Sequence, residues 1–324
     1  MLNYIIRRLL GIIPLLLGIT IISFVIIHLA PGKPTTQQEL MSPRISYEAR
    51  ARLEKLYDLD KPLHIQYMKW LKRIVRLDLG NSLIDGRPVV DKILERIPVT
   101  LTINILAMGL ILIISIPLGI QAASKPGSFF DKVTTLGVFI GFALPTFWVA
   151  LLLMQLLSIK LGWLPISGIK SLDFEYFSWS KKILDLAHHL ILPVFVSSIG
   201  GLAGFSRYIR QNMLGVLTQP YIITAKAKGL SHRQILYHHA FPNAILPLIT
   251  ILGLSIPGLL GGSVIFESIF ALPGIGELFY KAVMMRDYNL IMASVVLGAV
   301  LTMLGNLAAD IAYAYVDPRI RYKK

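Results

Sequence analysis

Long apolar runs separated by short polar connections dominate the chain. Six of them, at roughly 9–30, 99–122, 133–157, 187–206, 243–266 and 288–314, are long enough to span a bilayer. Each holds about 20 to 27 residues, and a helix rising 1.5 Å per residue then crosses a hydrocarbon core of about 30 Å. None of the 32 Lys and Arg residues lies inside these runs, and of the 18 Asp and Glu residues only Asp310 does. A charge at the bilayer centre costs about 3 kcal/mol or more, so this exclusion is what spanning segments require. The pattern predicts an all-α membrane protein with six transmembrane helices. The first run is about 22 residues, longer than the apolar region of about 7–15 in a cleaved signal peptide. No small-x-small cleavage site stands near His28-Leu29-Ala30-Pro31, so a retained anchor is expected.

Composition agrees with the pattern. Of 324 residues, 55% are hydrophobic and 15% charged, against about 25% charged in a typical soluble domain. There is no cysteine, which excludes a disulfide framework, a thiolate nucleophile and cysteine-bound metal. A net charge of +14 would suit nucleic acid, but its placement points to a membrane and away from nucleic acid. Arg7, Arg8, Lys125, Lys132, Arg207, Arg210, Lys226, Lys228, Arg233, Arg319, Arg321, Lys323 and Lys324 fall on one side of the six-span arrangement. Only Lys160, Lys170, Lys181, Lys182, Lys281 and Arg286 occupy the short loops of the other side. The positive-inside bias therefore predicts that both termini are cytoplasmic. The other cations lie in the long 31–98 segment, interleaved with nine acids, and segments of that length cross largely regardless of charge.

Three parts follow: a cytoplasmic N-terminus with the first span (1–30), an external region (31–98) and a five-helix core (99–324). In the external region, Pro31, Gly32 and Pro34 end the first span. Ser46 is placed to cap a helix over 47–57, and Pro62 to open a second with Tyr67, Trp70, Leu71 and Ile74 on one face. Leu79-Gly80-Asn81-Ser82 and Asp85-Gly86-Arg87-Pro88 read as turns. The region serves either as a packing cap on the helix ends or as a docking surface for a solute-binding partner.

The segment from Arg207 to Pro247, with the predicted cytoplasmic loop at 207–242, is the most informative. Pro220 can start a short helix, Gly229 can end it and Ser231 can cap the next. Small Ala225 and Ala227 on the short helix would let another surface approach closely. A basic helix lying on anionic lipid and a protein-docking helix both fit these residues. Thr224-Ala225-Lys226-Ala227-Lys228-Gly229-Leu230 resembles the cytoplasmic coupling loop of ATP-binding-cassette (ABC) importer permeases. The resemblance extends through Asp78-Leu79-Gly80-Asn81-Ser82, Pro117-Leu118-Gly119-Ile120, Leu144-Pro145-Thr146-Phe147-Trp148, Glu267 to Gly276, Arg286-Asp287-Tyr288 and Asp317-Pro318-Arg319. In order and spacing these motifs are similar to the dipeptide/oligopeptide/nickel permease family, first-permease branch. Two positions depart from it: Ile223 replaces the Glu of the general loop pattern, and Lys33 stands where many relatives have an acid.

The resemblance implies a type I ABC importer permease whose short helix inserts into a groove on an ATPase subunit. Ala225 and Ala227 would allow close contact, Gly229 would set the turn, and Lys226, Lys228 and Arg233 would offer charge to an acidic ATPase surface or to lipid. It also implies a second six-helix permease chain (a heterodimer, with a homodimer left open), two cytoplasmic ATPase subunits, an extracytoplasmic solute-binding protein and a prokaryotic cell membrane. This chain has no G-x-x-x-x-G-K-[ST] phosphate loop. It is therefore expected to be no enzyme and to bind no cofactor itself, with ATP and Mg held by the ATPase subunits. The expected cargo is di- and oligopeptides, with nickel or another small solute as the alternative. A secondary transporter is the competing class, but such proteins need ionisable groups at midplane, which the spans almost wholly lack.

The fifth predicted span contains Pro247, Gly253, Pro257, Gly258, Gly261 and Gly262 and is expected to be bent or locally unwound. Such a segment either lines a pathway or packs closely through its small residues. Beyond it, Glu267, Pro273 and Gly274 belong to a stretch that reads as a gate or as an ordinary connection. The adjacent pairs His188-His189 and His238-His239 are poor metal ligands, because one helix face presents residues i and i+4 together. Asp310, near the cytoplasmic end of its run, is expected to be interfacial or packed.

Overall fold

The computed structural model describes residues 2–31, 55 and 58–316. Among these residues every regular element is helical, apart from one isolated antiparallel bridge between Asn81 and Pro88. Apart from Lys55, which is helical, the expected helix over 47–57 lies outside the described residues, as do Lys33, the terminal Asp317-Pro318-Arg319 motif and the side chain of Asp310.

Helix α1 (Leu2–Leu29) is apolar along most of its length and gives way to a bend at Ala30 and Pro31. Helix α2 (Leu63–Val75) begins directly after Pro62, whose fixed φ favours a helix start. Pro88 plays the same part for the short α3 (Val89–Leu94). Helix α4 (Ile97–Ser124) follows, with Pro117 inside it.

The third predicted run is not one straight span. Helix α5 (Phe129–Ala143) starts on Ser128, whose hydroxyl accepts from the Asp131 backbone N–H. It stops at Leu144, because a residue before proline is pushed to extended backbone, here φ −88° and ψ 128°. Helix α6 (Thr146–Lys160) then leaves at 100° to α5, and its last turns, Met154–Lys160, are wound as a π-helix.

Helix α7 (Trp179–Leu217) has 39 residues. The predicted run at 187–206 is only its apolar middle; at 1.5 Å per residue the whole helix is about 58 Å long and must project well beyond a hydrocarbon core. Then come α8 (Pro220–Ala227), α9 (His232–Ala244) and α10 (Leu246–Leu260). The last two meet at 43° at Ile245, two residues before Pro247, so the fifth run is bent near its start. The chain ends in α11 (Val264–Ile269), α12 (Ile275–Met284) and α13 (Tyr288–Val316). Among the described residues four unbroken helical stretches are long and apolar enough to span a membrane, and counting each bent pair as one span gives up to six.

The chain forms two compact units. The first comprises residues 1–100, 260–264 and 273–307. Its cores are Val89 and Ile93 against Leu278, Leu290 and Ile291, and Phe24 and Trp70 against Met292. Tyr67, Leu71 and Ile74 pack on the second cluster, so α2 turns inward the face that its spacing predicts. Buried Asp287 starts α13 and accepts from the Ser82 hydroxyl and from the Leu83 N–H at 3.1 Å, which ties the Gly80–Pro88 turn to that helix. Gly262 and Gly276 lie backbone against backbone: a Cβ on Gly276 would sit 2.6 Å from the Ser263 carbonyl carbon.

The second unit comprises residues 101–259, 265–272 and 308–324. Here α4 and α7 pack closely at Gly119, where a Cβ would meet Ile209 at 2.7 Å, and α5 meets α7 where Gly141 faces Ala203. Such small-residue contacts let helices associate where lipid offers no hydrophobic drive.

Candidate functional site

The candidate site is the segment from the end of α7 to the start of α10, all within the second unit. Gln219 is extended and Pro220 occupies the first turn of α8, where its missing N–H costs nothing. Gly229, at φ +76°, takes the left-handed conformation that closes the helix, and its N–H bonds to the Lys226 carbonyl at 3.0 Å. Ser231 then caps α9 reciprocally with Gln234: the Ser hydroxyl accepts from the Gln234 N–H at 3.3 Å, and the Gln side chain accepts from the Ser231 N–H at 3.0 Å. The helix, glycine turn and capped helix of the sequence reading are therefore present.

The two faces of α8 differ sharply. Ile222 and Ala225 are buried against Met213, Ile235 and Leu236, and Leu230 packs on the same cluster. Thr224, Lys226, Ala227, Lys228 and Gly229 are exposed, together with Tyr221 and Ile223, and Arg233 is exposed on α9. This corrects the expectation for Ala225. At 6% exposure it cannot lie against another chain; its small side chain instead lets α8 pack on the turn at Ile235–Leu236. The outward face gains Tyr221 and Ile223, which sequence reasoning left out. Ile223 is 61% exposed, so the departure from Glu puts an apolar group on the surface.

A second feature behind this face is absent from the sequence reading. Arg210, near the end of α7, grips Asp131 at the start of α5 with Nε at 2.5 Å and Nη2 at 2.8 Å from its two carboxylate oxygens. The Gly127 N–H adds a third bond, also at 2.8 Å. The Asp131 side chain is 5% exposed and that of Arg210 30%. The turn before α5 is thus clamped to the helix that carries α8. The two residues are 79 apart in sequence, and neither has a local partner pattern to betray the pair.

The candidate pathway residues are distributed. Pro247 is exposed in the first turn of α10, Pro257 opens a 3-10 turn and Gly258 is exposed beside it. Glu267 is buried on α11 in the second unit, whereas Pro273 and the buried Gly274, which starts α12, belong to the first. Gly261 and Gly262 line an apolar cavity of about 260 Å³ with Ile275, Phe279 and Leu297. His188 and His189 each bond a backbone carbonyl at 2.8 Å, of Trp163 and Asp185 respectively.

Comparison with known proteins identifies the family. Residues 115–322 match the family model described as binding-protein-dependent transport system inner membrane component, and residues 1–104 match the corresponding N-terminal model. The chain is 48% identical over 320 residues to the oligopeptide transport system permease protein AppB of Bacillus subtilis, covering 98% of this chain and 99% of that one. It is 36% identical to the dipeptide transport system permease protein DppB of Alkalihalophilus pseudofirmus, covering 99% and 100%. It is 35% identical to the glutathione transport system permease protein GsiC of Salmonella choleraesuis over the full length of both. With both family models matched in order and these relatives aligned end to end, the chain belongs to the binding-protein-dependent transport system inner membrane components, the integral membrane permeases of ABC importers.

Proposed function

We propose that this chain forms, with a second six-helix permease chain, the membrane pathway of an importer for short peptides. Two separate ATPase subunits drive it through α8, and an extracytoplasmic binding protein delivers the solute. Both termini and α8 lie in the cytoplasm, and ATP and Mg are held by the ATPase subunits. The peptide cargo is carried over from relatives named for oligopeptides, a dipeptide and glutathione, all of which carry peptide or peptide-like bonds.

The outward face of α8 carries the proposal. Tyr221 and Ile223 offer exposed apolar area at its N-terminal end, and Lys226 and Lys228 offer charge at its C-terminal end. Apolar anchors ringed by charge suit a protein groove. The inward face, Ile222 and Ala225, locks α8 to α7 and α9. A push on α8 therefore moves the spans instead of bending a loop, and two-state rocking of the spans follows from it.

The test uses the assembled transporter reconstituted in vesicles. I223E and Y221A should weaken recovery of the ATPase with the permease and lower uptake of labelled di- and tripeptides, with the permease still inserted. G229V should uncouple hydrolysis from uptake, because valine resists φ +76°. Normal ATPase recovery and normal uptake in all three variants would refute the docking role. Uptake of nickel in place of peptides would refute the cargo and leave the docking role standing.

A further inference from the structure

The first unit contains a cavity of about 440 Å³ at the outer ends of α1 and α13. Its floor is apolar, made of the buried cluster Phe24, Trp70 and Met292. Its rim is cationic, made by Lys69, Lys72, Arg73 and Arg76 at the end of α2. Two carboxylates share this lining. Asp58 accepts from Lys69 at 2.8 Å and pairs also with Lys61, and Asp78 accepts from the Gly80 N–H at 2.9 Å. Arg73 meets only the neutral Asn289 amide oxygen, at 3.3 Å. Lys72 and Arg76 have no acidic partner among the described residues. Among the described residues the lining thus sets four cations, Lys69, Lys72, Arg73 and Arg76, against two carboxylates, Asp58 and Asp78, an excess of two positive charges.

A second groove adjoins the first and shares Lys69, Lys72 and Arg76 with it. It is lined by Ile65, Met68, Leu71 and Val75. Met68 and Val75 are 61% and 77% exposed, so α2 keeps an apolar face out of its own core. Depth says what meets that face. The Tyr67 hydroxyl lies 3.0 Å from that of Thr20, and Thr20 is nine residues before the end of α1 at Leu29. At 1.5 Å per residue the Tyr67 hydroxyl meets α1 about 13 Å before the end of that helix, and the Tyr67 ring packs edge-on against Phe24, so α2 lies against the side of the first span.

From the cationic cavity and the apolar groove joined to it beside the first span, we propose that this face of the first unit holds one anionic phospholipid. The phosphate sits among Lys72, Arg73 and Arg76, and an acyl chain lies along Ile65, Met68 and Val75. A free anion would leave the groove uncovered, and a zwitterionic lipid, with no net charge, would not answer the excess of positive charge.

The test is native mass spectrometry of the full-length chain in micelles doped with phosphatidylglycerol or phosphatidylcholine. The wild type should retain one phosphatidylglycerol in preference to phosphatidylcholine. K72Q/R76Q, two exposed changes, should weaken its retention roughly thirtyfold. K181Q/K182Q, which removes two cations of the second unit, should leave retention unchanged. A positional readout comes from chains carrying W148F/W163F/W179F, in which Trp70 is the remaining tryptophan. Tail-brominated phosphatidylglycerol should quench its fluorescence, and K72Q/R76Q should abolish the quenching. Any of four results would overturn the proposal: equal retention of phosphatidylcholine, an equal loss in K181Q/K182Q, displacement of the lipid by millimolar inorganic phosphate, or quenching indifferent to K72Q/R76Q.

Discussion

Replacing Arg210 by alanine removes two of the three donors that hold the buried Asp131 carboxylate and leaves only the Gly127 N–H. Breaking a fully buried ion pair from one side costs about 3–5 kcal/mol, because a charge is stranded. Here the guanidinium is 30% exposed, so water reaches part of the site and the expected loss for R210A is about 2–3 kcal/mol. D131A strands the more exposed partner and should cost less, about 1–2 kcal/mol. The double variant removes both charges together, so its loss should fall short of the summed singles by about 2 kcal/mol. R210K keeps the charge but loses the two-pronged geometry, and should fall between wild type and R210A. The assay is a double-mutant cycle on unfolding by SDS titration from mixed micelles, with α5–α7 contact followed by a fluorophore pair. A coupling energy below about 0.5 kcal/mol would refute the clamp, because independent sites already add to within that margin. If the clamp also carries motion from α8 to α5, R210K should lower uptake per ATP hydrolysed more than it lowers stability.

Other expectations rest on single contacts. G276A forces a Cβ to within 2.6 Å of backbone atoms at Ser263 and should cost about 1–3 kcal/mol by overpacking, whereas G258A meets nothing within 4 Å and should be near neutral in the same thermal assay. S82A takes a donor from the buried Asp287 carboxylate and should destabilise the first unit by about 1–3 kcal/mol, read as faster proteolysis of the Gly80–Pro88 turn. Hydrogen bonds from Lys61 and then Lys69 hold the Asp58 carboxyl below its usual range. Its contribution is therefore complete above the ordinary carboxylate pKa and lost as pH falls through the depressed value. A stability difference between wild type and D58N should be present at neutral pH and vanish in acid; a difference that persists there would assign the effect to shape and not to charge.

The spans were legible because the bilayer constrains them so tightly: charge is excluded from long runs whatever the rest of the fold does. Local stops were legible for a similar reason. Pro62, Pro220, Gly229 and Ser231 act through their own backbone chemistry, and the helices start and end where those residues say. What hydropathy could not give is direction. The run over 133–157 is apolar on both sides of Pro145, so hydropathy reads its 100° break as one continuous run; only the proline marks it, and a proline inside α4 or α7 causes no such break. The length of α7 was hidden because its ends are polar, and a hydropathy run sees only the part that lipid would touch.

The segment around α8 shows the same limit at the scale of one turn. Its bounds follow from caps, but which residues face out depends on what α8 packs against, and that surface comes from Met213 and Ile235, 9 residues before Ile222 and 10 beyond Ala225. Ala225 and Ala227 are the same residue type two places apart, and a helix places such a pair on nearly opposite faces. One is therefore packing and the other is surface. A small residue reveals that something comes close; only the fold reveals whether that something is the chain itself or a partner. For that reason I223E and a bulky change at Ala225 should differ in kind: the first should spare the thermal stability of the second unit and lose the ATPase, and the second should lower that stability before any partner is added.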